Sequence, residues 1–132
     1  MYEYECKIRR VVDGDTIDVD ISLGFGHWIH GERIRLFGVD CPECRSRDLE
    51  EKAAGLAAKR FVERFLQVGE TYTLKTQDKG KFGRYLGTIS NETETVNKAL
   101  VNEHLAVVYY GQSKDDIEAA HIENRSRYKR ED

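Results

Sequence analysis

The residues of this 132-residue chain that could do chemistry concentrate in one stretch, "RIRLFGVDCPECRSR" (residues 33–47), which supports two incompatible readings. Cys41-Pro42-Glu43-Cys44 is a C-x-x-C, the spacing of thiol redox centres and of half a zinc site. The same residues carry two carboxylates, Asp40 and Glu43, on either side of a proline, with Arg35 just before them. Oxygen donors of that kind suit a hard cation.

Residues elsewhere in the chain weigh on the choice. Asp15 shares the parity of Ile17, Val19 and Ile21, so it points to the face its strand buries. A carboxylate there is costly unless something positive meets it; the plainer alternative is that Asp15 caps a turn. Arg84 follows Gly83 at the start of another strand, where a missing side chain would let a substrate approach. Carboxylates with two planar guanidinium forks have the makings of phosphodiester cleavage. A cation neutralises a phosphate oxygen, a carboxylate handles the water, and the forks hold the charge that builds in the transition state.

The thiol reading needs His27-x-x-His30 to join Cys41 and Cys44 around zinc. Residues 33–39 read as an extended strand, and seven residues at about 3.3 Å each span roughly 23 Å, which separates His30 from Cys41. A redox role would place the first Cys at a helix N-terminus in a βαβ unit, but a run of strands precedes it. The cysteines are therefore expected to be reduced and to fill small spaces.

The elements that must position these groups can be read from the same residues. "CKIRRVV" leads into Asp13-Gly14, a hairpin signal, and "DTIDVDIS" then alternates apolar and polar residues. A Gly-rich loop, "LGFGHWIHGE", precedes the strand "RIRLFGV". A helix is predicted from about Asp48 to Gln67, with Leu49, Ala53, Leu56, Ala57, Phe61 and Phe65 as its apolar face. Strands "ETYTLKTQ" and "RYLGTIS" follow, then a short helix "TVNKALVNEHL", the segment "AVVYYG", and a polar helix from near Asp115. Five strands with a helix between the third and fourth predict an α+β, mainly β architecture: a five-stranded OB-fold-like barrel with about three flanking helices, forming a single domain over 1–132.

Net charge is -3. Such a balance argues against a protein that works by coating nucleic acid, which needs many Lys and Arg, but not against an enzyme that handles one phosphate at a time. Three cysteines, an odd number, do not suit a disulfide-stapled secreted fold. With no apolar leader or long apolar run, the expectation is a cytoplasmic protein with no membrane association, secretion remaining open if a leader once preceded the chain. Nothing demands more than a monomer.

Three blocks, "VVDGDTIDV", "RLFGVDCPE" and "KFGRYLGTI", with a weaker fourth, "VNKALVNEHLAVVYY", give the sequence a resemblance to the staphylococcal-nuclease (thermonuclease) family. The resemblance covers most of the first 110 residues and implies an OB-fold nuclease. It implies Ca²⁺ held by Asp15, Asp40 and the backbone carbonyl of Cys41, with Glu43 reaching it through water. Arg35 and Arg84 would grip the scissile phosphate, and Glu43 would be the general base. Cleavage of single-stranded or locally unpaired DNA and RNA would break the P–O5′ bond and leave a 3′-phosphate. Lys81, Phe82, Tyr109 and Tyr110 would contact the nucleotide, the tyrosines by stacking on a base. The chain departs from the family at Cys41, often Thr, at Phe82, usually Tyr, and at Gly80, usually Asp. A basic tail, Arg125, Arg127, Lys129 and Arg130, reads as a solvated helix end with some capacity for phosphate contacts. The competing expectation from a different class is an OB barrel that binds nucleic acid or a protein partner without cutting.

Overall fold

The computed structural model describes residues 2–79 and 84–127. Its strands are β1 (Tyr2–Asp13), β2 (Thr16–Gly24), β3 (His27–Leu36), β4 (Val39–Asp40), β5 (Thr71–Lys79), β6 (Tyr85–Ser90) and β7 (Val107–Val108), and its helices are α1 (Leu49–Phe65), α2 (Val96–Asn102) and α3 (Lys114–Asn124). Five of the strands close a barrel in the order β1-β2-β3-β6-β5, antiparallel except for β3 with β6. This is the OB-fold-like, mainly β α+β architecture that the strand order predicts. The short β4 and β7 form a separate two-stranded sheet beside it.

The barrel is filled by the apolar residues of the alternating strands. Ile8, Ile17, Val19, Ile34, Leu36, Leu74 and Ile89 are fully buried, and Val62 and Leu66 of the α1 segment and Val96 and Leu100 of α2 join the same cluster. Burying such a side chain stabilises a fold by about 1.5–3 kcal/mol, so this inward-facing set drives closure. Capping fixes where the helices begin. The Asp48 carboxylate accepts from the N–H groups of Glu50 and Glu51, and the Thr95 and Ser113 hydroxyls do the same for Lys98 and Asp116.

Several local expectations need correction. The β1–β2 register pairs Asp13 with Thr16, so the turn is Gly14-Asp15 and not Asp13-Gly14. Gly14 is there for space: a Cβ at this position would meet the Ala58 Cβ at 2.8 Å and the Cys41 Sγ at 2.9 Å. The stretch from Leu23 to Glu32 is not a loop; it is largely strand. Gly24 pairs with His27 across a two-residue turn in which Phe25 and Gly26 have φ of 55° and 76°. That left-handed pair matches the right-handed twist of the strands, and this end of the ribbon lies beyond the core, so apolar alternation does not mark it. The third strand ends at Leu36, because Gly38 adopts a φ of 77° and turns the chain into β4.

The buried face of α1 is also rotated from the expected one. It comprises Ala54, Gly55, Ala57, Ala58 and Val62, whereas Leu49 is 79% exposed. The helix approaches the chain segments beside it too closely for large side chains. A Cβ on Gly55 would lie 2.6 Å from the Cys44 nitrogen and the Glu43 carbonyl carbon.

Candidate active site

Asp15, Arg35 and Asp40 come together where the β1–β2 turn meets the end of β3. Thr16 pairs with Arg35 across the two strands, and the Leu36 N–H donates to the Asp15 carbonyl at 2.8 Å. The turn is thereby bonded to the strand that carries the arginine. Arg35 then joins both carboxylates: Nη1 lies 3.1 Å from Asp15 Oδ2 and Nη2 lies 3.1 Å from Asp40 Oδ1. Nη1 also donates to the Val39 carbonyl at 2.9 Å, so the guanidinium grips the β3–β4 corner itself.

The corner is held from two further sides. Asn97, buried on α2, donates through Nδ2 to the Phe37 and Gly87 carbonyls, and its Oδ1 accepts from the Ile89 N–H. Asp40 pairs with Val107 in the small sheet, and the Tyr109 N–H donates to the Gly38 carbonyl at 2.8 Å. A polar residue inside an apolar helix pattern was the available sequence signal for Asn97, because a buried amide must find partners.

Asp15 is 9% exposed. Burial pushes its carboxyl above the usual carboxylate range, opposed by the Arg35 charge and by the Cys41 N–H, which donates to Oδ2 at 2.9 Å. The nearby Asp40 charge pushes in the same direction as burial. The Thr16 hydroxyl donates to the other oxygen at 3.1 Å. Asp15 therefore does more than cap its own turn: its carboxylate bonds to β3 and to the backbone of residue 41.

Glu43 is exposed, on a loop segment pressed against Gly55. No three His, Cys, Asp or Glu side chains among the described residues are arranged to hold a metal ion. Arg84 immediately precedes the paired stretch of β6 and shares the parity of Leu86, which sits beside Arg35. Tyr109 and Tyr110 follow β7 and are 40% and 81% exposed. Lys81 and Phe82 lie outside the described residues, as do Lys129 and Arg130. Arg125 faces Glu50 at 3.5 Å, and Arg127 pairs with Glu123.

One residue at the site carried no recognisable signal in the sequence. His121 on α3 places Nε2 2.8 Å from Asp40 Oδ2. It lies 81 positions from its partner on a polar helix, where a lone histidine has no pattern to mark it.

The thiols are placed differently. Cys6, Cys41 and Cys44 are all free and buried. His30 contacts Asp20 at 3.2 Å, and the Cys44 thiol lies 2.7 Å from Asp13 Oδ1 as a donor.

The family model for staphylococcal nuclease homologues matches residues 33–132. The thermonuclease of Staphylococcus intermedius is 34% identical over 102 residues, covering 75% of this chain and 56% of the relative. Endonuclease YhcR of Bacillus subtilis (strain 168) is 31% identical over 116 residues, 82% of this chain but 9% of the relative. Protein ParB of Escherichia coli is 31% identical over 139 residues, 97% of this chain and 71% of the relative. The chain thus spans about half the length of the thermonuclease it matches. Among the described residues, no helix is long and apolar enough to cross a membrane.

Proposed function

Because the chain belongs to the family of staphylococcal nuclease homologues, we propose that it hydrolyses phosphodiester bonds of DNA or RNA at the Asp15–Arg35–Asp40 centre. The observation that carries this reading is one guanidinium joining a carboxylate of the β1–β2 turn to one on β4, at 3.1 Å each. An arginine is the residue suited to such planar, two-pronged contacts.

The donor set fits calcium. Every candidate ligand is an oxygen, as a hard cation prefers, and two carboxylates share one guanidinium, which leaves negative charge for a cation to offset. Asp15, Asp40 and the Cys41 carbonyl would hold Ca²⁺, with Glu43 reaching it through water. When bound, the ion would supply positive charge to a phosphate oxygen. The remaining tasks fall to this chain's own residues. Arg35 and Arg84 orient the scissile phosphate and hold the charge that builds on it. Glu43, exposed to solvent, takes the proton of the attacking water. The water oxygen bonds to phosphorus, the P–O5′ bond breaks, and the 5′ oxygen leaves as a hydroxyl after taking up a proton. The product end carries a 3′-phosphate.

Lys81, Phe82, Tyr109 and Tyr110 would form the nucleotide contacts. Exposed aromatic rings stack on unpaired bases with little sequence preference, which favours single-stranded or locally unpaired DNA and RNA. The chain would work as a monomer.

The test is to incubate the purified protein with single-stranded DNA in millimolar-range Ca²⁺ and, separately, in chelator. The expected result is fragmentation only with Ca²⁺, lost in Asp40→Ala. Intact DNA in both conditions, from folded protein, would sink the nuclease reading in favour of a barrel that binds without cutting.

A further inference from the structure

The last helix, α3, buries none of its own side chains completely, and the half-buried Ile117 and Ala120 share their stripe with the polar His121 and Asn124. Polar contacts tether it. Asn124 Nδ2 donates to the Ala106 carbonyl at 3.3 Å, and Arg125 Nη1 reaches Glu50 at the start of α1. Between those tethers and the barrel lies His121, whose side chain is only 11% exposed.

The imidazole occupies a defined place at the site. Its Nε2 contacts Asp40 Oδ2 at 2.8 Å, while Arg35 Nη2 holds Oδ1 of the same carboxylate at 3.1 Å. Asp40 is thus held by both oxygens, from β3 on one side and α3 on the other. The second ring nitrogen, Nδ1, is buried without a hydrogen-bond partner among the described residues. A buried polar atom left unmet disfavours the fold that buries it. A helix that needed docking alone would place an apolar side chain there at no such penalty.

We propose that His121 is a positioning residue for Asp40: its Nε2 contact, opposite Arg35, fixes the carboxylate in the orientation that receives the cation, which makes α3 part of the site. The inference rests on the nuclease reading for the identity of the cation. It does not need His121 to touch metal or substrate. An ionised carboxylate offers about four lone-pair positions, so the two contacts leave room for a ligand bond. Partners that orient a metal ligand in this way are worth roughly 10–100-fold in metal affinity or activity.

The test is Ca²⁺ calorimetry on the protein alone, with wild type, His121→Phe and His121→Gln, after thermal melts show that each is folded. Phe keeps the ring volume without a donor, whereas the Gln carboxamide still donates to Oδ2. The Phe variant should bind Ca²⁺ about tenfold more weakly and the Gln variant within about threefold of wild type, on the scale of lost ligand-orienting contacts. In DNA cleavage measured over a range of substrate concentrations, the Phe variant should lose kcat while KM for DNA holds. Equal or tighter Ca²⁺ binding by the Phe variant, or a Gln variant as weak as Phe, would overturn the proposal. Wild type that binds Ca²⁺ but cuts nothing would end the nuclease reading, and the isotherms would still decide the role of His121. Wild type that binds no Ca²⁺ would end both.

Discussion

Asp15 and Cys41 are 26 positions apart, and the Cys41 N–H donates to Asp15 Oδ2 at 2.9 Å. The bond ties the β1–β2 turn to the backbone of the residue whose carbonyl is the proposed third cation ligand. Burial pushes the Asp15 carboxyl up, so the fold bears a free-energy penalty for keeping charge at this position. Asp15→Asn retains the shape and the acceptor for Cys41 while removing the charge. It should melt no lower than wild type at neutral pH. Its Ca²⁺-dependent cleavage should fall about 100-fold or more, the scale of losing a group that stabilises transition-state charge. Thermal melts and initial cleavage rates, measured together, decide it. Unchanged cleavage would reduce Asp15 to a turn residue.

Gly55 inverts the usual rule for a helix interior. Replacing a mid-helix Gly with Ala stabilises an ordinary exposed helix by about 1 kcal/mol. Here the added Cβ would lie 2.6 Å from the backbone of Glu43 and Cys44, which has no flexible end to move aside. Gly55→Ala should therefore destabilise, by about 1–3 kcal/mol as overpacking does. It should also displace the loop that presents Glu43 and lower kcat. Urea unfolding gives the sign directly; an Ala variant more stable than wild type would mean that the loop yields freely.

Much of this was legible in the sequence, for a physical reason. Alternation in "DTIDVDIS" and "RIRLF" marks strands with one buried side, and Asp15 stands out because charge is expensive on such a face; Arg35 and Asp40 stand out by their closeness in sequence to Glu43. What stayed illegible depends on contacts made late in the chain or on shape. His121 sits on a polar helix whose docking no periodicity encodes. The α1 face was misplaced because large apolar residues weigh more than Ala in a pattern, whereas close approach to Gly14 and Glu43 selects small ones. Asp20 alternates with the core residues of its strand, yet it is 4% exposed, where the bulge at Gly31 turns an N–H onto it.

Asp20 gives a pH signature independent of catalysis. Burial alone would raise its carboxyl, but the Gly31 N–H at 2.9 Å, His30 and Arg9 outweigh that and hold it below the usual range. A carboxyl lowered in the folded state contributes stability that is fully present above its unfolded value. That contribution is lost as pH falls through the folded value. Asp20→Asn should therefore cost about 1–3 kcal/mol at neutral pH, as expected for a broken hydrogen bond to a charged group. The deficit relative to wild type should shrink on acidification below the ordinary carboxylate range. Denaturant melts of both proteins across that range check it; a deficit that does not change with pH would show that Asp20 acts through shape alone.

The thiols make the opposite prediction, of silence. Burial pushes Cys6 up to about 12 and Cys41 well above its ordinary value. Cys44 is raised by burial and then by the Asp13 carboxylate that accepts its S–H. Only the thiolate attacks disulfides or binds zinc, and each of these environments disfavours it at neutral pH. A chromogenic disulfide reagent at pH 7.5 should therefore label native protein far more slowly than denatured protein, in which all three thiols react. Cys44→Ser keeps a donor for Asp13 and should cleave DNA at the wild-type rate. Rapid labelling of native protein, or zinc retained at one equivalent through purification, would return the C-x-x-C to contention as a working motif. Slow labelling with intact cleavage in the Ser variant would leave the carboxylates as the chemistry of this stretch.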